Sequence, residues 1–165
     1  LRGDQQQASK QLWMNLYLQL NSSYLFPTTN LPIDQQNGRQ LQSSAIQYLG
    51  DYLRQKKHSF QLAFDIQHQA VLAEAQLLLP SIFHYIFQNF GKNKAYQRMF
   101  TAFDYMDRPE RIEDLIDNYF LLACFAAQKD LQSLFEKQFK FKLSDFVKQK
   151  IAVLKVSEFS LNEED

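Results

Sequence analysis

The side chains best suited to metal binding or nucleophilic catalysis are few. They are three histidines and one cysteine: His58, His68, His84 and Cys124. Asp65 and His68 stand three residues apart, so on a helix they would share a face. A metal site needs three or four converging ligands, and di-iron helical bundles take glutamates from four helices. Because the first half of the chain contains a single glutamate, Glu74, we expect no metal site.

The pattern of nucleophiles does not match a catalytic motif. Cys124 lies within the apolar run 119–127, where a cysteine is typically a buried packing residue with an unreactive thiol. No serine lies in a nucleophile-elbow pattern, and the four glycines are scattered rather than gathered in a phosphate-binding loop. The sequence therefore predicts no catalytic residue and no cofactor, and a protein that is not an enzyme.

The overall charge bears on the class of partner. The chain of 165 residues has 18 Lys and Arg against 18 Asp and Glu, so its net charge is zero. A protein that binds nucleic acid through its phosphates is usually basic, so we expect no direct nucleic-acid binding. No apolar run approaches the roughly 18 residues of a membrane helix, and a single cysteine fits a reducing compartment. We therefore expect a cytoplasmic protein.

Acidic residues are concentrated between positions 104 and 117. Six of the 18 acids fall there: Asp104, Asp107, Glu110, Glu113, Asp114 and Asp117. Acids at the start of a helix are commonly a solvated feature that complements the helix dipole. An acidic docking face for a basic partner is the functional alternative.

One dense basic spot lies beside His58. Arg54, Lys56 and Lys57 fall within four residues, where a helix is expected to end. Cations at that position suit the negative end of the helix dipole. A local contact for an acidic partner is again the functional alternative.

Composition and periodicity favour helices throughout. The chain contains 21 Gln but only four Gly and four Pro, which favours helices over strands and loops. Apolar residues at helical spacing predict helices over 5–24, from 41 to the mid-fifties, over 59–79, 81–90, 93–106 and 107–127, and from 130 to 154 with a break near Phe141. We therefore predict an all-α fold, a single-domain helical bundle of about five to seven helices. Most of the 15 Phe and eight Tyr should form its core.

Three local signals refine the helix boundaries. Pro80 removes a backbone donor and should kink or restart its helix. Gly91 is a helix stop signal. Asp107 should cap the next helix, with Pro109 in its first turn and Glu110 completing a capping box. That helix becomes apolar on all sides, which is typical of a central, buried element.

Four segments are similar, in order and approximate spacing, to one known family. They are Arg2-Gly3 followed by Trp13, Gln47 to Leu53 followed by His58 and Phe60, Leu72 to Ala75 followed by Leu79-Pro80, and Phe125 to Asp130. Together they resemble the Rsd/AlgQ family of anti-sigma regulators, which are small all-helical bacterial proteins that bind the primary sigma factor of RNA polymerase. The resemblance covers about residues 2–135. It implies a helical bundle domain over 1–135. The residues beyond it, 136–165, are expected to form a helical C-terminal extension, and the acidic residues at its end are expected to form a frayed tail.

The resemblance implies a protein partner and a contact patch. Members of the family hold the promoter-reading C-terminal part of the sigma factor, a basic helix-turn-helix region, and so compete with core polymerase and DNA. Carried onto this sequence, Asp51 would supply charge and hydrogen bonding, and Tyr52, His58 and Phe60 would form the adjoining contact surface. For each residue, ordinary packing or surface solvation is the alternative.

Two other functions remain open at this stage. Many large apolar groups on a small bundle could enclose a pocket for a small ligand. An immunity or effector-binding protein would have the same composition as a sigma-factor regulator. All three readings share one expectation, which is a helical domain that binds rather than transforms its partner.

Overall fold

The computed structural model describes residues 2–25, 32–54 and 69–153. These residues form six α-helices and one π-helical turn, and they contain no β-strand. In chain order the elements are α1 (Arg2–Leu25), α2 (Pro32–Arg54), α3 (Gln69–Asn89), α4 (Asn93–Asp104), α5 (Ile112–Ala127), the π turn (Leu134–Gln138) and α6 (Asp145–Val153). The prediction of an all-α helical bundle is confirmed. None of the helices in these three stretches is both long and apolar enough to cross a membrane.

Helix α5 forms the centre of the bundle, as its all-round apolar sequence predicts. Eleven of its 16 residues are buried. Its Tyr119 ring packs edge-on against Phe83 of α3 at 4.8 Å between ring centroids, and against Phe135 of the π turn at 5.9 Å. Each large apolar side chain buried in this way contributes about 1.5–3 kcal/mol. Burial of α5 is therefore a main source of stability for the bundle.

Helix α3 runs through Pro80 as one helix, so of the predicted kink or restart at this residue the restart does not occur. A proline inside a helix costs about 3 kcal/mol. Leu78, Leu79, Ile82 and Phe83 surround it and are fully or almost fully buried. Their burial outweighs the cost of the proline, so the helix is maintained by its tertiary contacts. The helix then ends before Gly91, whose φ of +128° confirms the predicted stop.

Helix α1 packs on α4 through aromatic rings. Trp13 is 1% exposed and stacks on Phe103 with 4.5 Å between ring centroids. Tyr17, one turn later, lies 5.7 Å from Phe100 and 4.9 Å from Phe103. This is the apolar face that the spacing of Leu12, Trp13, Tyr17 and Leu20 predicts.

The start of α5 differs from the prediction. The helix begins at Ile112, and its N-cap residue is Arg111, which makes no side-chain cap bond. Asp107 therefore does not cap the helix as predicted. Pro109 disfavours a helical conformation at the residue before it, and its ring is buried, so the chain reaches Ile112 as a turn. Asp107 contributes its backbone carbonyl instead, which accepts a hydrogen bond from Asn118 at 2.9 Å.

The described part of the C-terminal extension packs on the bundle. Asp117 of α5 accepts two hydrogen bonds from Ser144, from its backbone N–H at 3.2 Å and from its hydroxyl at 2.5 Å. The same hydroxyl accepts the N–H of Val147 at 3.1 Å, so Ser144 caps α6. Val147 and Ile151 are buried. Residues 139–144 are not helical, which confirms the predicted break near Phe141.

Two predictions about secondary structure fall wholly or partly outside the described residues. The predicted helix over 59–79 can be followed only from Gln69, where α3 begins. The predicted frayed tail lies beyond Val153.

Candidate functional site

The predicted contact patch is only half described. Asp51, near the end of α2, is exposed, and its carboxylate accepts a hydrogen bond from Arg54 Nη1 at 3.2 Å. Tyr52, the next residue, turns inward and is 5% exposed. His58 and Phe60 lie outside the described residues. The structure therefore places Asp51 on the surface and Tyr52 in the core, and the patch as a whole stays a prediction.

The one thiol is buried within α5. Cys124 is fully buried, and its sulfur accepts the backbone N–H of Leu131 at 3.5 Å. Burial raises the pKa of this thiol to about 12, because the thiolate is poorly solvated in an apolar surrounding. Cys124 is thus protonated at neutral pH, and its predicted role as a packing residue is confirmed.

The one described histidine is buried as well. His84 on α3 is 1% exposed, and burial lowers its pKa to about 4. Its imidazole is therefore neutral at pH 7. In the parts of the chain that the structure describes, no three Cys, His, Asp or Glu side chains come together where they could bind a metal ion. Asp65 and His68, the pair that shares a predicted helix face, lie outside those parts.

The most distinctive surface feature is the connection between α4 and α5. We call residues 104–114 the acidic corner. Tyr105 protrudes there with 87% of its surface exposed, the highest value among the large exposed apolar side chains that the structure describes. Four exposed acids surround it in the sequence: Asp104, Asp107, Glu110 and Glu113. This corner contains five of the six acids that the sequence analysis grouped as an alternative docking face.

The acidic corner has a defined backbone conformation. Tyr105 ends α4 with its own N–H bonded to the carbonyl of Ala102 at 3.1 Å, and Met106 N–H bonds to Phe103 at 3.3 Å. Asn118 Nδ2 ties Asp107 to α5 at 2.9 Å. Because these bonds hold the backbone at residues 105–107, a partner would order little more than the Tyr105 side chain at this point of the corner.

Within the described part of the chain, one carboxylate of the corner forms a salt bridge. Arg111 makes a two-pronged ion pair with Asp114, at 3.2 Å and 3.0 Å. Among the described residues, no salt bridge reaches the carboxylates of the four acids around Tyr105. An exposed aromatic ring among exposed carboxylates that carry a net negative charge is suited to a basic protein surface. The ring supplies apolar contact area, and the charges supply attraction and orientation.

The sequence could indicate only part of this site. The run of acids was visible, but the exposure of Tyr105 depends on where α4 ends and on which of its faces packs inward. Tyr96 and Phe103 on the same helix are half-buried and buried, and nothing in their residue type separates them from Tyr105. An aromatic residue flanked by acids and followed by Pro109 is the one signal that could have found it.

A second exposed aromatic side chain provides a natural comparison. Phe146 on α6 is 70% exposed, and the Lys150 ammonium lies 5.9 Å from its ring centroid. Its surroundings are basic rather than acidic on its own helix face. Phe146 is therefore a matched control for Tyr105, similar in size and exposure but different in charge environment.

Comparison with known proteins identifies no relative of this chain. No protein-family model matches the sequence, and neither a curated protein nor a solved structure matches it.

Proposed function

We propose that this chain is a protein-binding regulator whose acidic corner holds a basic surface of another protein. The specific candidate partner is the C-terminal, helix-turn-helix part of a primary sigma factor, which the resemblance to the Rsd/AlgQ family suggests. The observation that carries the proposal is the protrusion of Tyr105, 87% exposed, from an anchored turn that carries a net negative charge.

Tyr105 can supply the affinity of such a complex. A tyrosine side chain buries about 150 Å² or more when fully covered. At about 25 cal/mol per Å², its burial is worth about 3–4 kcal/mol before the cost of association. Tyrosine is also among the residues most enriched at interface hot spots, where truncation costs 2 kcal/mol or more.

The carboxylates of the corner can supply the selection of partner. Residues 104–114 contain five acids against two arginines. Exposed charges of this kind act mainly on the rate of association and on the exclusion of wrong partners. Binding of a basic partner should therefore weaken as salt is raised, because ions screen these charges over about 10 Å at 0.1 M.

Regulation would follow from competition for one surface. A helix-turn-helix uses its basic face to contact DNA phosphates. A protein that covers this face with carboxylates prevents the contact without any chemical change in its partner. This mechanism requires no catalytic group, and it is compatible with a buried, protonated Cys124 and a buried, neutral His84.

The test is complex formation by the full chain with the C-terminal domain of a primary sigma factor. At tens of micromolar, size-exclusion chromatography should show a stoichiometric complex. Tyr105→Ala should weaken the dissociation constant roughly thirtyfold, which corresponds to about 2 kcal/mol. Phe146→Ala should leave it unchanged. Absence of a complex with the wild-type chain would refute the sigma-factor proposal.

A further variant separates the two candidate surfaces. Asp51→Ala changes the patch that the family resemblance indicates and leaves the acidic corner intact. If Asp51→Ala abolishes binding while Tyr105→Ala does not, the partner is held at the end of α2 and the acidic corner is not the site. Far-UV circular dichroism of each variant should show unchanged helicity, since both side chains are exposed.

A further inference from the structure

A second charged surface lies at the opposite end of α4 and α5. We call it the basic end. It consists of Phe90, which follows α3, together with three exposed lysines: Lys92, Lys94 and Lys129. The Lys129 ammonium lies 5.8 Å from the centroid of the Phe90 ring. Asp130, next to Lys129 in the sequence, uses a carboxylate oxygen to accept the N–H of Gln132 at 2.9 Å.

The basic end is brought together by one half-buried arginine. Arg98 of α4 donates from Nε to the carbonyl of Ala126 in α5 at 3.1 Å, and from Nη2 to the carbonyl of Phe90 at 3.1 Å. Its guanidinium thus joins the C-terminal ends of α3 and α5 at the start of α4. Lysines that are more than 30 positions apart in the sequence consequently lie on one surface.

The same contacts show that the two charged surfaces are at opposite ends. Arg98 connects the first half of α4 to the last turn of α5, while Asn118 connects α5 to Asp107, just beyond the end of α4. Helices α4 and α5 are therefore antiparallel. The 12 residues of α4 span about 18 Å. Lysines lie at one end of this length, and Tyr105 and the carboxylates lie at the other.

We infer that the basic end binds the acidic corner of a second copy of this chain. Both complementary surfaces belong to the same polypeptide. The acidic corner carries an exposed aromatic ring, and the basic end carries exposed ammonium groups. Because the net charge of the chain is zero, two copies have no overall repulsion. Tyr105 of one copy would lie against Lys129 and Phe90 of the next, a combination that allows both cation–π and aromatic contacts. The carboxylates would face Lys92 and Lys94.

This contact joins different surfaces of the two copies. Such contacts form a closed antiparallel pair or ring when every acidic corner meets a basic end, and otherwise form head-to-tail chains that lengthen with concentration. Because this contact rests on exposed charges, it should be weak and sensitive to salt. It also covers the acidic corner, so self-association would compete with the partner binding proposed above. Only this competition rests on the proposed function. The contact between two copies does not depend on the identity of the partner.

The first test is the molar mass of the full chain in solution. Sedimentation velocity should show a weight-average mass that rises with concentration above the single-chain value at about 20 mM salt. At about 500 mM salt, where the screening length falls to a few ångströms, the mass should return to the single-chain value. A mass that stays at the single-chain value in low salt up to millimolar concentration would overturn the inference.

Charge reversal identifies the two surfaces. The variant Asp104→Lys with Glu110→Lys changes the acidic corner, and the variant Lys94→Glu with Lys129→Glu changes the basic end. Each variant alone should lose self-association, because it then presents two surfaces of like charge. An equimolar mixture should recover association, since each contact between the two different variants again pairs opposite charges. The matched control Lys10→Glu with Lys150→Glu changes two exposed lysines elsewhere and should self-associate like the wild type.

The outcomes separate this inference from the proposed function. The basic-end variant should lose self-association and still bind the sigma-factor domain, because its acidic corner is intact. If the mixture of the two variants stays monomeric, or if the control loses association as well, the head-to-tail contact is refuted whatever the partner experiment shows. Matching circular dichroism spectra of all variants exclude unfolding as the cause, and the neutral pair Lys94→Gln with Lys129→Gln provides a milder test of the same surface.

Discussion

Gly91 offers the most specific test of how the ends of three helices are joined. Its φ is +128°, and a Cβ atom added there would lie 2.7 Å from Arg98 Nη2. Gly91→Ala therefore has two separate costs. The backbone strain of a non-glycine residue in this region is about 1–3 kcal/mol. The Arg98 side chain must also move and give up its bond to Phe90, which costs about 1.5 kcal/mol for a charged hydrogen bond.

The two costs can be separated in a double-mutant cycle. In the wild-type background, Gly91→Ala should lower the free energy of unfolding by about 3 kcal/mol. In an Arg98→Ala background the guanidinium is absent, so only the backbone strain remains and the loss should be about 1.5 kcal/mol smaller. Urea denaturation followed by circular dichroism measures all four free energies.

A second glycine is the control for this cycle. Gly50 lies inside α2, and the nearest atom to an added Cβ is Arg54 Nη2 at an ordinary 3.6 Å. Gly50→Ala should therefore stabilise the protein by up to about 1 kcal/mol through helix propensity. Equal losses for Gly91→Ala with and without Arg98 would refute the reasoning, because they would show that the guanidinium does not occupy the space beside Gly91.

The remaining predictions concern buried polar groups. Burial lowers the pKa of His84 from 6.5 to about 4, so the unfolded chain binds a proton at higher pH than the folded chain does, and about 3 kcal/mol of stability should be lost as the pH falls from 6.5 to 4. The free energy of unfolding, measured against pH, should therefore have a different slope in the wild type and in His84→Gln over this window. Parallel slopes would contradict the assignment. Tyr119→Phe removes the 2.6 Å hydrogen bond from the phenol to the Leu79 carbonyl and should lower the free energy of unfolding by about 1–2 kcal/mol, measured by thermal or urea unfolding. An unchanged free energy of unfolding would mean that water replaces the phenol. The Cys124 thiol should react with a disulfide reagent only when the chain unfolds, so its rate should rise with urea across the unfolding transition, and rapid labelling in native buffer would show that the thiol is accessible.

Much of the fold followed from local patterns. The apolar character of the segment 115–127 on all sides predicted the central helix, and the face of Leu12, Trp13, Tyr17 and Leu20 predicted how α1 packs. These predictions succeeded because burial dominates helix placement and leaves a periodic trace in the sequence. The N-terminus of α5 was misplaced because capping residues are local signals, and the buried ring of Pro109 decided the path of the chain instead.

The candidate surfaces were harder to predict for a physical reason. Exposure of an aromatic residue is set by tertiary packing, so Tyr105 could not be separated from the buried Phe103 by type or spacing. The basic end depends on Arg98 bringing Phe90 and Lys129 together across α3, α4 and α5. No pattern within one helix encodes that proximity.

Hydrogen exchange by the full chain, alone and with the sigma-factor domain, tests the central claim most directly. If the protein works by holding a basic partner at its acidic corner, protection on binding should centre on residues 103–114. At partner concentrations near the wild-type dissociation constant, Tyr105→Ala should remove most of this protection and Phe146→Ala should keep it. Protection centred on the end of α2, or no change anywhere on the chain, would contradict this account.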